Sequence, residues 1–264
     1  MNQQRSSWAG RKLALALAGL TALVAAANAQ VLYSDSFSGS GGLLNGVAVP
    51  GGTGAGALWS ANSCFLNNGT ISGANEGSAL LPFAPVVNAQ YRLTLDVLNS
   101  SDRWIALGFA GTGLVSPGAN RTNDRYANDN RGNAWMLFRQ HLTDATQNIQ
   151  AFTGLGTTGG ALADDNRAIN FGVGHQLQVL LDTTGDGTRF TADFLLDGSS
   201  VLAAPVTIVR NLSTLQYAGM SYDNSTASLI TYDNFQLTLV PEPTSATILG
   251  AGLLLIGLRR CRKA

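Results

Sequence analysis

Lysine, cysteine and glutamate are nearly missing from the middle of this 264-residue chain, and each shortage closes off a class of function. Between Gln30 and Val240 the sole thiol is Cys64, the second cysteine, Cys261, falling in the extreme C-terminal tail. No disulfide can form within that stretch, so its fold must hold by its core alone, which is reasonable for roughly 200 residues. One cysteine with His141 and His175, far apart in sequence, gives no zinc-ligand spacing. Cys64 beside Phe65, in a strand-like run, reads as a small buried hydrophobe rather than a reactive thiol. The same stretch has no lysine and sets nine arginines against fifteen acids, a net charge near −6, although the whole chain is formally neutral. Nucleic acid and anionic lipid are therefore poor partners, because both draw affinity from a basic face. There is no Gly-x-Ser-x-Gly elbow, no Gly-x-x-x-x-Gly-Lys phosphate loop and no His-Glu-x-x-His helix. His141 and His175 each stand at a strand end and read as such rather than as catalytic bases.

What is present is sorted between the ends and the middle. Arg5, Arg11 and Lys12 form a positive leader, Leu13 to Ala26 an apolar run, and Ala27-Asn28-Ala29 a small-x-small site, so residues 1–29 read as a signal peptide cleaved before Gln30. At the other end, within 240–264, Pro241-Glu242-Pro243 precedes the apolar stretch Ala246 to Leu258 and the cations Arg259, Arg260, Arg262 and Lys263. As a helix, that apolar stretch counted from Pro243 reaches only about 24 Å, short of a hydrocarbon core of about 30 Å. The cations favour the cytoplasmic side, which puts the Pro-Glu-Pro outside, and its prolines keep the peptide extended and open to a protease. This order of motif, short membrane helix and basic end resembles the PEP-CTERM sorting signal of Gram-negative bacteria. The resemblance implies export through the inner membrane and removal of the tail by an exosortase.

The middle, 30–239, reads as one all-β domain. β-prone runs occur at Val31 to Phe37, Ala57 to Leu66, Tyr91 to Leu98, Trp104 to Ala110, Ala134 to Arg139, Gln147 to Phe152, Gln176 to Asp182, Arg189 to Leu196, Leu215 to Tyr222 and Leu229 to Leu239. Clusters of Gly, Asn, Asp, Ser and Thr between them supply turns. The clearest hairpin joins Leu177–Asp182 to Phe190–Phe194 through Thr183–Thr188, and Asp197-Gly198 makes a second turn directly after. Strands at this spacing without a helical pattern predict two antiparallel sheets packed as a sandwich.

Two polar segments are candidate binding sites. The first runs from Asn120 to Asn133 and brings Asp124, Arg125, Tyr126, Asp129, Asn130 and Arg131 together, donors, acceptors and a ring suited to sugar hydroxyls. A solvated loop whose charges pair among themselves is the plainer reading of the same residues. The second, Asp182 to Gly187, offers the carboxylates of Asp182 and Asp186 to a Ca²⁺ ion, but lacks the full ligand series and distal Glu of an EF-hand. It also reads as a hairpin turn that needs no metal.

Asp35-Ser36-Phe37-Ser38-Gly39 with Leu44-Asn45-Gly46, Tyr91 to Leu98 followed by Trp104-Ile105-Ala106-Leu107-Gly108-Phe109, Leu195-Leu196-Asp197-Gly198 and the closing Tyr232-Asp233-Asn234-Phe235-Gln236-Leu237 together resemble a concanavalin A-like, laminin-G-like jelly roll. That superfamily implies two curved antiparallel sheets used for glycan binding, glycan hydrolysis or adhesion. Its retaining hydrolases carry a Glu-x-Asp-x-x-Glu strand, whereas Glu76, followed by Gly77-Ser78-Ala79-Leu80-Leu81, is the only Glu between Gln30 and Val240 and has no such partner. Asp164 and Asp165 are adjacent and, if extended, point to opposite faces. The expectation is an exported protein of the cell surface or extracellular matrix that acts by contact, without catalysis and without a cofactor. Its partners would be an extracellular polysaccharide and, during processing, the exosortase and secretion machinery; no nucleic acid is expected, and the membrane only through the tail helix before cleavage. A glycoside hydrolase of the same fold is the alternative.

Overall fold

Alternation in Gln90–Asn99 becomes, in the computed structural model of the chain, a strand whose Tyr91, Leu93, Leu95 and Val97 point inward while Arg92, Thr94, Asp96 and Leu98 point out. The structure describes residues 29–240 apart from 73–75, 120–121, 129–130, 142, 145–146, 155–156, 158–159, 166 and 224–229. Among the described residues, strands run in the order β1 (Gln30–Asp35), β2 (Ser60–Ala61), β3 (Gly77–Pro82), β4 (Gln90–Asn99), β5 (Ile105–Ala110), β6 (Gly132–Phe138), β7 (Ile149–Phe152), β8 (Ala163–Asp165), β9 (His175–Asp182), β10 (Phe190–Leu196), β11 (Ser199–Ser200), β12 (Val206–Ile208), β13 (Tyr217–Tyr222) and β14 (Ile230–Val240). The first sheet has the order β1-β14-β4-β9-β10-β11, with β12 also on β10, and the second β2-β3-β13-β5-β6-β7-β8. Every pairing is antiparallel. The two sheets pack face to face as an antiparallel sandwich. Its shared core includes Leu93, Leu95, Val179, Phe194 and Leu237 from the first sheet and Leu107, Phe109, Met136, Phe138 and Met220 from the second.

Turn chemistry sets the hairpin register. β9 and β10 pair from Asp182↔Thr191 to Leu196↔Leu177, as the hairpin in the sequence requires. Asp197 and Gly198 have φ of 51° and 76°, the pair of left-handed residues that a two-residue turn needs to match strand twist, and Leu196 meets Ser199 across it. Gly219 in β13 is required by packing: a Cβ there would lie 2.0 Å from the carbonyl oxygen of Ala79 on β3.

Two expectations are corrected. The run Ala57 to Leu66 is no continuous strand, since pairing is confined to Ser60–Ala61 and isolated bridges. Asn62 breaks it, accepting from the Ser78 amide (2.8 Å) and donating to the Ser116 carbonyl (3.2 Å), while Trp59, Cys64 and Phe65 sink into the core. Conversely, β3 has no counterpart among the expected strands. Its Gly-Ser-Ala-Leu-Leu-Pro sequence has no β-branched or aromatic residue, yet it lies between β2 and β13 and its first five residues are buried.

Among the described residues no helix is long and apolar enough to cross a membrane. The predicted tail helix Ala246 to Leu258, the motif Pro241-Glu242-Pro243, the cations Arg259, Arg260, Arg262 and Lys263, and Ala27 of the signal site lie outside the described residues; Ala29 is exposed just before β1.

Candidate functional site

The segment that the sequence offers as a sugar-binding loop is turned inward. A short 3-10 turn, Thr122–Asp124, places the Asp124 carboxylate where it accepts from the amides of Val115 (3.0 Å) and Ser116 (3.3 Å), from Asn62 Nδ2 (3.0 Å) and from Arg131 Nη2 (2.9 Å). Asp124 is 0% and Arg131 2% exposed, so the pair is an interior lock. Arg131 Nη1 also donates to the carbonyls of Thr112 (3.1 Å) and Gly113. Tyr126 is fully buried against Trp135, with its amide on Ser221 Oγ (3.0 Å) and its hydroxyl on the Gly108 carbonyl (3.1 Å). Burial holds its phenol well above the usual range, against an opposing pull from the Arg131 charge. Asp124, Tyr126 and Arg131 therefore have no surface to offer a ligand, which corrects that expectation for these three. Arg125 is largely buried and joins Glu76 (2.9 Å) and Asp223. Asp129 and Asn130 lie outside the described residues.

This loop covers a second apolar cluster on the outer face of the second sheet, made of Leu80, Trp104, Ala106, Ala110, Tyr126, Trp135, Leu137 and Phe152. Trp135 stacks on Phe152 at 4.3 Å between centroids. The second sheet is thus buried on both faces, and β5 and β6 are buried at every position.

The outer face of the first sheet is the open one. Register brings Ser34, Gln236, Thr94 and Gln178 into one transverse row across β1, β14, β4 and β9, and Asp233, Asp96 and Gln176 into the next. A depression of about 320 Å³ sits here, lined by Ser34, Asp35, Ser36, Thr94, Asp96, Gln176, Asn234 and Gln236. Both oxygens of Asp96 are held, Oδ1 by Gln176 Nε2 and Oδ2 by Asn234 Nδ2, each at 2.9 Å. Asn234 reaches that position because β14 bulges: Asn234 and Phe235 oppose Leu95 alone, and Asn234 has φ 51°. Bulges of this type re-aim a side chain, here an amide toward the carboxylate of the neighbouring strand. Asp35 is buried at the rim and committed to the core side, accepting from Trp59 Nε1 and the Phe37 amide, both at 2.8 Å. The resulting floor offers fixed carboxylate, amide and hydroxyl groups, which can accept from and donate to the hydroxyls of a ligand.

The alternating polar positions of these strands are visible in the sequence, but nothing local says that residues 34, 94, 178 and 236 share one row. Other residues singled out above have structural partners. Asp182 Oδ1 accepts from the Thr184 amide (2.8 Å) and Oδ2 from Gln90 (3.1 Å), while Asp186 Oδ1 accepts from the Thr188 amide (2.9 Å) and hydroxyl (2.6 Å). Those bonds shape the turn, and those from Thr188 hold the Asp186 carboxyl below its ordinary value. Among the described residues no group of three or more His, Cys, Asp or Glu side chains is gathered for a metal. His175 lies between Asp197 Oδ2 (2.8 Å) and the Asn170 carbonyl (3.0 Å), and His141 Nδ1 accepts from the Asp144 amide (3.0 Å). Burial pushes the Cys64 thiol far above its ordinary range.

Fold and face together define a two-sheet antiparallel β-sandwich whose first sheet has an open outer face. No protein-family model and no curated protein matches the sequence. Solved structures that share the fold include the carbohydrate recognition domain of Emp47p, 15% identical with a TM-score of 0.50 over 81% of this chain and 97% of that one. Other structural matches are the alginate lyase Aly36B, 16% identical with a TM-score of 0.42 over 80% of this chain and 96% of that one, and the Trypanosoma rangeli sialidase, 13% identical with a TM-score of 0.45 over 87% and 36%. At 15% identity the likeness to the Emp47p domain shows the fold alone. The expectation that this chain is no enzyme is corrected: chains titled as a lyase and a sialidase are among the structural matches, and no particular activity follows from them.

Proposed function

We propose that this chain is a glycan-binding protein of the cell surface or extracellular matrix, exported behind its N-terminal signal and processed at the PEP-CTERM-like tail. The observation that carries the reading is the open polar depression on the first sheet, centred on Asp96 with Gln176 and Asn234, while the other sheet face is covered. Carbohydrate-recognition domains with the same fold support a polysaccharide partner at that coarse level. The basic tail, the short apolar stretch and Pro241-Glu242-Pro243 support the route of export.

A glycan array probed with the purified protein, with and without Ca²⁺, tests the binding. Bound glycans are expected, with signal lost in the double variant Asp96→Ala, Gln176→Ala and kept in Asp129→Ala, Asn130→Ala. The reverse pattern would return the site to the loop, and an empty array would sink the proposal. A Ca²⁺-dependent signal abolished by Asp186→Ala would assign the ion to the Asp182 to Gly187 turn. Intact mass of the protein from its native cells tests processing: the residues from about Thr244 onward should be absent, and recovery of Arg259 to Ala264 would refute it.

A further inference from the structure

Resting on the reading just given, we infer that the ligand is an uncharged polysaccharide lying lengthwise along β4 and β9, and that the open face discriminates against acidic chains. A second depression, of about 200 Å³, opens on the same face and is lined by Gln90, Arg92, Leu180, Asp182, Thr191 and Asp193 among others. Register joins the two: below the row through Thr94 comes Thr238, Arg92, Leu180 and Asp193, and below that Val240, Gln90, Asp182 and Thr191. From Asp96 to Gln90 the strand advances six residues, about 20 Å at ~3.3 Å each. A face of that length with a hollow at each end suits a chain better than a single sugar.

Charge selects the class. Outward on these strands, among the described residues, stand Asp96, Asp182, Asp193 and Asp233 against one cation, Arg92. Asp193 Oδ1 already accepts from Ser200 Oγ (2.6 Å), and Asp182 and Asp96 are held as described, so these carboxylates are fixed in place. Sugar hydroxyls can donate to them in charge-assisted bonds. A uronate or sulfate on each sugar would instead meet like charge at several points, on a stretch of chain whose net charge is already near −6.

Affinity electrophoresis of the purified protein decides the matter, using gels that contain hydroxyethyl cellulose, galactomannan, neutral arabinoxylan, alginate or polygalacturonate. Retardation is expected with at least one of the three uncharged polymers, unaffected by added salt, and with neither acidic one. Affinity for fragments of the retarding polymer should rise with length, and Gln90→Ala should weaken the long fragments about tenfold, the cost of one hydrogen bond, while sparing the shortest. Retardation by alginate or polygalacturonate that salt relieves would overturn the charge argument and leave glycan binding standing. Equal loss on long and short fragments, or none on either, would overturn the two-hollow arrangement. No retardation by any polymer, with an empty array, would remove the proposed function as well.

Discussion

The two sheets of this sandwich are made from different kinds of strand. In the first, β4, β9 and β10 alternate buried and half-exposed residues, and their outer side chains are mostly Thr, Gln and Asp. In the second, β5 and β6 are buried throughout, and a loop locked by Asp124 and Arg131 covers their outer face. The contrast assigns stability and recognition to different faces. The loop richest in charge, amide and aromatic groups acts as a lid on a second core, and the plainer alternating strands provide the accessible polar surface. A cluster of recognition-type residues in sequence is therefore no guide to a site until burial is known.

The contrast is broken most severely at the lock. Arg131→Ala leaves Asp124 as an uncompensated buried charge, and a loss of about 3–5 kcal/mol is expected in denaturant unfolding. A loss below about 1 kcal/mol would show that the loop does not depend on the pair. A smaller effect is expected at alkaline pH. Burial raises the phenols of Tyr126 and Tyr232 above their ordinary value of 10.0, so the folded state keeps protons that the unfolded state releases. Their stabilisation is whole below pH 10 and is lost as pH rises through the folded values. Unfolding measured across that range should show falling stability, with both phenols ionising only as the protein unfolds; tyrosinate absorbance that appears before unfolding in a Tyr126→Phe, Tyr232→Phe difference titration would contradict this. The smallest effect belongs to the open face: Asp96→Ala should change stability by no more than about 0.5 kcal/mol even though it removes the centre of the proposed site. A loss as large as that of Arg131→Ala would make Asp96 a structural residue and sharpen the comparison the other way.

Much of the architecture was legible from residue order. The strands around Leu93, Leu107, Met136, Val179, Phe194 and Leu237 appear where β-prone runs predict them, and Asp197-Gly198 turns as its residue types require. β3 is not marked in the sequence because it has no β-branched or aromatic residue; burial between two neighbours made it a strand. Ala57 to Leu66 erred in the opposite sense, its apolar residues being core-forming without being paired. The candidate site was less legible. Asp124, Tyr126 and Arg131 have the chemistry of a sugar site and the burial of a core, and only the latter is decisive.

Local covalent geometry explains what sequence alone determined: side chains alternate along a strand, glycine and asparagine permit left-handed turns, and charges can be counted. These determine an all-β sandwich, an acidic central stretch without a disulfide, and the pattern of the two ends. Register between strands distant in sequence is a collective outcome of packing, and it alone placed Ser34, Gln176 and Gln236 beside Thr94 and Asp96. The same packing turned Asp124 and Arg131 inward, because their ion pair and amide contacts are available only beneath the loop that closes the second sheet.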